Sequence, residues 1–347
     1  MVIQENVPLA PLTTLGVGGA ARYLAAAKAE EDVQAALEFS RQQALPLFVM
    51  GGGSNLVVSD SGWHGLVLKI AIPGIHRTNE GESVRFDVGA GVDWDAFVGE
   101  SVAANCAGIE CLSGIPGSVG GTPVQNVGAY GQEVSDTIES VRAFDLKQDR
   151  TVLLAEAECG FRYRTSIFNS VESGRYIILR VSYRLTAGGA PSLKYRDLRE
   201  SFSGSTSPSL SQVRDAVRRI RQSKGMLIVP GDPDCRSAGS FFKNPVLSEA
   251  QFSSLSKRAT ARGVEIPSYP ALDAHRKVSA AWLVEHSGFN KGFSLGAAAI
   301  SHKHALALIN TGNAHAADIL RLKKAIQESV RNTWDIELEP EPVMVGF

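Results

Sequence analysis

Three consecutive glycines, Gly51, Gly52 and Gly53, followed by Ser54 and Asn55, sit directly after the apolar run PLFVM and before LVVS. Glycines in this number let a backbone turn sharply and bring its N–H groups close to a ligand, a nest suited to phosphate oxygens. A tight turn between strands is the plainer reading, but such a turn rarely needs three glycines. A second cluster, SGIPGSVGGTPVQNVGAYG, runs from Ser113 to Gly131 and holds Gly114, Gly117, Gly120, Gly121, Gly128 and Gly131. So much glycine costs conformational entropy, tolerated where backbone must lie against a flat or phosphorylated ligand. Its Ile, Val and Pro content argues against a floppy loop, which would be polar. Two such clusters suggest one large, two-headed cofactor. A third stretch, CRSAGSFFKNP, places the Ser240 hydroxyl, the Lys243 ammonium and the Asn244 amide in a stiff, apolar setting. Taken alone it reads as a strand end with core phenylalanines and a solvated lysine.

The elements that must position these groups alternate between Arg22 and Ile70: strand RYLAAA, a helix, strand LPLFVM, the glycine run, then strand LVLKI. Val33, Ala36 and Leu37 fall on one helical face, with Glu30, Glu31 and Asp32 in the first turn, where the helix dipole favours acids. Asp93 is a predicted N-cap for a helix carrying Trp94, Phe97, Val98 and Val102 inward. From about Ser135 to Leu185 the signal is mostly strand: SVRAFDL, TVLLAEA and YIILRVSYRL. The serine-rich SFSGSTSPSLS, residues 201–211, has the composition of a linker, and a domain boundary is expected there. Beyond it a helix turns Val213, Ala216, Val217 and Ile220 inward, leaving Arg214, Arg218, Arg219, Arg221 and Lys224 on its outer face and end. Further helices are expected around Ser279–His286 and Ala316–Val330. The GVGGAA stretch with Gly16, Gly18 and Ala21 satisfies a nominal dinucleotide fingerprint, but no strand precedes it and a strand follows, so that reading is rejected.

With 347 residues, the chain exceeds what one core usually supports, and two or three domains are expected. A formal net charge of -1 argues against a polyanion-binding surface, so nucleic acid is not an expected partner. The start, MVIQENVPLAPL, has no cationic segment leading into an apolar run, and no stretch of about 18 apolar residues would span a bilayer. Cys106, Cys111, Cys159 and Cys235 form no CxxC pair and read as reduced thiols of a cytoplasmic protein. His302 and His304 alternate as on one strand face. Without a third ligand they read as an exposed strand end, and no metal is expected.

The motifs GGGSNL, GIPGSVGG, QNVGAYGQE, FRYRTSIF, AGSFFKNP and LEPE stand in the order found in the UDP-N-acetylenolpyruvoylglucosamine reductases, which the chain resembles over nearly its whole length. The resemblance implies a mixed α/β (α+β) fold: a two-part FAD-binding module of the vanillyl-alcohol oxidase type plus a C-terminal substrate-binding domain. It divides the chain into residues 1–70, joined by 335–347, then 71–205, then 206–334. It also implies a reaction in which hydride passes from NADPH, by way of tightly but non-covalently bound FAD, to the terminal carbon of an enolpyruvyl group. Charge develops at the neighbouring carbon, next to a carboxylate, and must be quenched by a proton. Ser240 matches the family's proton donor; a hydroxyl suffices against so basic a carbon when a dry pocket holds it in reach. Arg164 matches the arginine that steadies the carboxylate edge, to which a planar fork is suited. Glu341 matches the catalytic glutamate, expected to work protonated or through a water.

For the cofactor, the resemblance assigns Gly51, Gly52, Gly53, Ser54, Asn55, Gly114, Ile115, Pro116, Gly117, Ser118, Gly120, Gly121, Asn126, Gly128, Ala129 and Tyr130. For the sugar-nucleotide substrate it assigns Tyr163, Tyr195, Lys224 and Asn244, with Tyr195 on a closing loop and Lys224 near the pyrophosphate. Lys243 is expected on the substrate side. No obligatory protein partner or membrane association is expected. The chain departs from the pattern where Thr13 and Thr14 replace a frequent Asn-Thr, and where Asn169 replaces a frequent basic residue. Two alternatives remain: an FAD-dependent alcohol or sugar oxidase of the same superfamily, which no suitably placed histidine for covalent flavin attachment supports, and a non-catalytic nucleotide-binding scaffold.

Overall fold

The computed structural model describes residues 1–203, 207–271 and 274–347. Contacts divide the chain into two units. The first comprises Met1–Val7, Ala21–Gly53 and His64–Leu227; the second comprises Pro8–Ala20, Ser54–Trp63 and Ile228–Phe347.

In the first unit, the helix Glu30–Gln42 begins as its acids foretell: Asp32 accepts hydrogen bonds from the N–H groups of Lys28 (2.9 Å) and Ala29 (3.1 Å). Its buried Val33, Ala36 and Leu37 pack in one cluster with Ala25, Leu66 and Leu68. Those last residues come from a four-stranded sheet in the order Ile3–Pro8, Ala20–Ala27, Trp63–Ile70, Leu47–Met50. A larger antiparallel sheet runs Arg150–Ala155, Ile138–Asp145, Tyr176–Ala187, Ser83–Gly89, Ile75–Glu80, with Cys106–Ala107 also pairing to the central strand. Asp93 caps the helix Trp94–Ala103 by accepting from Ala96 N–H at 2.8 Å. That helix buries Trp94 and Phe97 edge-on to each other and against Tyr183. Both sheets feed a single apolar cluster. The expected split between residues 1–70 and 71–205 therefore falls inside one unit.

The second unit is built around the helix Ala316–Trp334, which buries Ile319, Leu322, Ile326, Val330 and Trp334. Leu15, Val17 and Val57 join the same core. Asp60 explains why an early segment belongs here: its carboxylate accepts from the N–H groups of Ala316 (2.7 Å) and Ala317 (3.0 Å), at the positive end of that helix. The strand Val343–Val345 pairs in parallel with Leu56–Val58. The tail thus joins an early segment as expected, but both pieces lie with the C-terminal domain.

The domain boundary moves for a similar reason. Residues 204–206 of the serine-rich stretch lie outside the described residues, and the division falls between Leu227 and Ile228. The helix Leu210–Ser223 belongs to the first unit because Val213, Ala216 and Val217 pack on Cys111 and Leu198. His302 and His304 lie in bends and turns ahead of the strand Leu308–Asn310, not on a strand face. His302 N–H donates to Asp234, and His304 Nδ1 accepts from Leu306 N–H. Among the described residues no helix is long and apolar enough to cross a membrane. All four cysteines are buried, and none forms a disulfide.

Asp145 closes the turn after Ile138–Asp145. It takes Arg175 Nε (3.0 Å) and NH2 (2.6 Å), plus the N–H groups of Lys147 and Gln148. The Arg175 guanidinium, with those N–H groups, holds its carboxyl down at about 2. A carboxyl lowered on folding stabilises the protein above its unfolded value of about 3.9 and stops doing so as pH falls through the folded value. Asp145→Asn is therefore expected to lower stability at neutral pH and to flatten the loss between about pH 4 and 2, read from urea midpoints across that range.

Candidate active site

The glycine run after Leu47–Met50 lies directly on the second glycine cluster. A Cβ added at Gly52 would stand 2.6 Å from Gly117 Cα and 2.8 Å from Ser118 N, and one at Gly51 would stand 2.9 Å from Ser118 Oγ. Real Cβ atoms do not approach backbone this closely, so only glycine permits the packing. The opposite side of the loop is tied down: Val119 N–H donates to Val92 O and Gly120 N–H to Ala90 O, both at 2.9 Å. Ser118 is 7% exposed, and its hydroxyl is buried with no hydrogen-bond partner. An orphaned hydroxyl costs free energy unless something arrives to bond it. This cradle of small residues and one unpaired hydroxyl fits a phosphate-bearing cofactor such as FAD.

The 126–133 loop is held by its own side chains. Asn126, buried and at φ +43°, donates to Glu133 Oε2 (2.9 Å) and Arg162 O (3.2 Å) and accepts from Ser135 N–H (3.1 Å). Its amide is occupied in fixing the loop. Tyr130 and Gly131, both at positive φ, turn the short hairpin Gly128–Ala129/Gln132–Glu133. Next to it, Arg162 and Thr165 exchange backbone hydrogen bonds, leaving Tyr163 and Arg164 at the tip of a tight turn. Arg164 sits at φ +55°, an uncommon conformation for a side-chain-bearing residue, and its NH2 donates to Gly128 O at 2.9 Å. Asn169 donates to Arg164 O (3.1 Å) and accepts from Ser166 N–H (2.9 Å), so it holds the arginine's turn together.

In the second unit, Ser240 and Glu341 come together through backbone. Glu341 N–H donates to Phe241 O, and Lys243 N–H to Glu339 O, both at 2.9 Å, with Phe242 bridging Pro340. Phe241 and Phe242 are fully buried, while Gly239 at φ +74° turns the chain just before the half-buried Ser240. Asn55 straddles the glutamate: its Nδ2 donates to Glu341 O (3.2 Å) and its carbonyl accepts Val343 N–H (2.9 Å). Thr14 donates to Ser237 O at 2.7 Å, and Thr13 accepts from Gly16 N–H at 3.1 Å. Thr13, where the family often has Asn, and Thr14, which matches it, thus both bond to backbone. Lys243 pairs with Glu339 at 2.5 Å, and Asn244 Oδ1 accepts Ala280 N–H at 2.9 Å. Those two side chains are engaged within the fold.

Two family models match the chain: "FAD binding domain" over residues 21–153 and "UDP-N-acetylenolpyruvoylglucosamine reductase, C-terminal domain" over residues 232–345. The UDP-N-acetylenolpyruvoylglucosamine reductase of Thermobifida fusca (strain YX) is 46% identical over 350 residues, covering 99% of this chain and 98% of the relative. That of Streptomyces avermitilis is 44% identical over 354 residues, covering 99% and 96%. The crystal structure of the Thermus caldophilus enzyme superposes with a TM-score of 0.68 at 28% identity, covering 99% of each chain. The chain belongs to the UDP-N-acetylenolpyruvoylglucosamine reductase family. Neither the oxidase nor the scaffold alternative is favoured by these matches.

Within this reductase fold, sequence reasoning misjudged one face of the helix Leu210–Ser223. Its arginines do not simply point to solvent. Arg214 NH1 donates to Asp95 at 2.6 Å, Arg218 pairs with the same carboxylate, and Gly114 N–H donates to it at 2.6 Å. Burial opposes charge on Asp95, yet Arg214 and the other donors outweigh it and hold its pKa below the ordinary range. Arg221 donates to Gly114 O (3.1 Å) and Met226 O (2.6 Å); desolvation pulls its guanidinium down, with Tyr130 and Asp95 opposing. Burial likewise pushes the Tyr130 phenol up. Tyr195 stands edge-on to Tyr130 at 5.2 Å and caps the short helix Arg196–Ser201, so the substrate residue expected on a loop lies at a helix start. Lys224 Nζ lies 5.9 Å from the Tyr195 ring centre. Asp95, Arg221 and Asp197 carry no motif. Asp95 stands out only as a charge among apolar neighbours, while Arg221 and Asp197 lie in the charged runs RRIRQSK and KYRDLRE, which hide them.

Gly52→Ala is expected to abolish flavin retention, because the new methyl has only backbone to displace. Ser118→Ala should keep the fold and weaken FAD binding by about tenfold, the worth of one hydrogen bond. The flavin-to-protein absorbance ratio and a titration of the apoprotein with FAD check both.

Proposed function

We propose that Ser240, Arg164 and Glu341 carry the chemistry of an NADPH-dependent flavoenzyme that reduces UDP-N-acetylenolpyruvoylglucosamine to UDP-N-acetylmuramate, in peptidoglycan precursor synthesis. Membership of the family, over nearly the full length of both chains, is the observation that carries the reaction. FAD, when bound, would supply hydride chemistry at the terminal carbon of the enolpyruvyl group, with NADPH as the electron donor. The glycine cradle and the Ser118 hydroxyl would hold that cofactor.

The chain's own residues then manage one proton and one negative charge. Ser240 donates the proton to the carbon beside the carboxylate. Gly239 lets the backbone turn toward it, and Phe241 and Phe242, buried behind it, keep the segment rigid. A rigid donor gains most of its advantage from orientation, which compensates for the weak acidity of a hydroxyl. Arg164 steadies the substrate carboxylate with a guanidinium whose backbone is fixed by Asn169 and whose NH2 is anchored on Gly128. Glu341, held in register with Phe241, assists protonation as an acid or through a water. Tyr163, Tyr195, Lys224 and the free amide nitrogen side of Asn244 address the sugar nucleotide, with Lys224 meeting a phosphate. The four buried cysteines, none of them in a disulfide, support a cytoplasmic setting.

Ser240→Ala tests the central assignment. NADPH should still bleach the yellow enzyme at the wild-type rate, while recolouring by the enolpyruvyl substrate slows by about 10² to 10⁴, the usual contribution of a positioned general acid. Stopped-flow absorbance separates the two half reactions. An unchanged second half reaction would remove Ser240 from the role.

A further inference from the structure

Lys224 already has an anionic partner. Its Nζ donates to Asp197 Oδ2 at 2.7 Å, with side-chain exposures of 34% for the lysine and 41% for the aspartate. Asp197 lies in the first turn of Arg196–Ser201, two residues after Tyr195, whose ring packs on Tyr130 and faces the same ammonium. The chain leading into this helix is pinned from below. The fully buried Glu110 carboxylate accepts from Ser192 N–H (2.8 Å), Gln132 Nε2 (2.9 Å) and Gly108 N–H (2.8 Å), and Cys111 Sγ donates to Ser192 O at 3.3 Å. Ser192 is a fixed point. Beyond it, Leu198 is fully buried against Val213 and Val217 and anchors the helix Arg196–Ser201, while the Asp197 side chain itself meets only the half-exposed Lys224 ammonium and Tyr195 an aromatic edge.

We propose that Asp197 is a placeholder for phosphate: in the substrate-free chain it occupies Lys224, and the diphosphate of a nucleoside diphosphate displaces it. Binding at Lys224 is then an exchange of one anion for another. A phosphate wins because it offers more charge and more acceptor oxygens than a single carboxylate. A half-exposed pair is weak enough to be exchanged. This inference rests on the reading of Lys224 as a phosphate-binding residue.

The test is calorimetric titration of the FAD-loaded enzyme with uridine diphosphate, comparing wild type, Asp197→Asn, Lys224→Gln and the double variant. Removing the competing carboxylate should tighten binding by about two- to fivefold, the worth of a half-exposed ion pair. Lys224→Gln should weaken it, and in that background the Asp197 change should have no further effect. Unchanged or weaker binding in Asp197→Asn, with the Lys224→Gln loss intact, overturns the placeholder and leaves the Lys224 reading standing. Unchanged binding in Lys224→Gln overturns both. Asp197→Ser, a second removal of the charge without the amide, must show the same tightening, and its failure to do so counts equally against the proposal.

Discussion

The approach of Gly51 and Gly52 to Gly117 and Ser118 is the constraint on which the first unit depends. Two chain segments separated by more than sixty residues touch backbone to backbone, at distances that leave no room for a methyl group. Such contact fixes the end of the strand Leu47–Met50 against the loop that follows the helix Trp94–Ala103. Nothing softer than backbone intervenes, so the geometry transmits position rather than absorbing it. The loop in turn rests on Ala90 and Val92 at the end of the large sheet, and Trp94 Nε1 donates to Leu112 O at 3.0 Å on its far side. A cradle so braced does not need a ligand to hold its shape, which lowers the ordering cost of binding a large cofactor.

Amide side chains supply a second layer of bracing that motif comparison cannot distinguish from ligand contact. Asn126 fixes the flavin loop to Arg162, Asn169 fixes the Arg164 turn, Asn55 fixes Glu341, and Asn244 accepts the first N–H of the helix Ala280–Glu285. Each asparagine satisfies backbone groups that would otherwise be stranded near the site. Residues matched to a family motif therefore divide into those that meet a ligand and those that hold others in place. Asn126, with both donors and its acceptor used, falls on the second side. Thr13, which stands where the family often has Asn, joins it by accepting the Gly16 N–H.

How much was legible in the sequence follows from which forces are local. The helix Glu30–Gln42 could be read because its apolar stripe and its acids are properties of neighbouring residues. The triple glycine was legible because glycine is expensive and therefore informative. The hairpin Ile75–Glu80 and Ser83–Gly89 escaped notice because IHRTNE is an exposed edge whose polar residues hide the alternation. The domain boundary was misplaced because an amphipathic helix announces that it buries a face, but not against what. Cys111, far away in sequence, and Leu198, on the near side of the serine-rich stretch, decide that for Leu210–Ser223. Arg221 looked like one of several surface cations for the same reason. Its partners, Gly114 O and Met226 O, come from different loops, and no periodicity records them.

In the first unit, Arg214 and Arg218 share the single charge of Asp95, and Lys224 is paired with Asp197; in the second, Lys243 is paired with Glu339. Each lysine so paired adds no bare positive charge for an incoming anion, whereas the two arginines on one carboxylate keep a net positive charge. Asp95 differs from Asp197 in kind, since it also takes a backbone N–H and two guanidinium groups, and such a carboxylate is costly to release. It is a permanent strut, holding the helix Leu210–Ser223 and the Gly114 loop as one piece. Asp197 has a single lysine and half its surface in water. Burial and partner number thus separate the two acids: one fixes the framework of the arginines, while the other holds a single half-exposed ammonium by a pair weak enough to exchange.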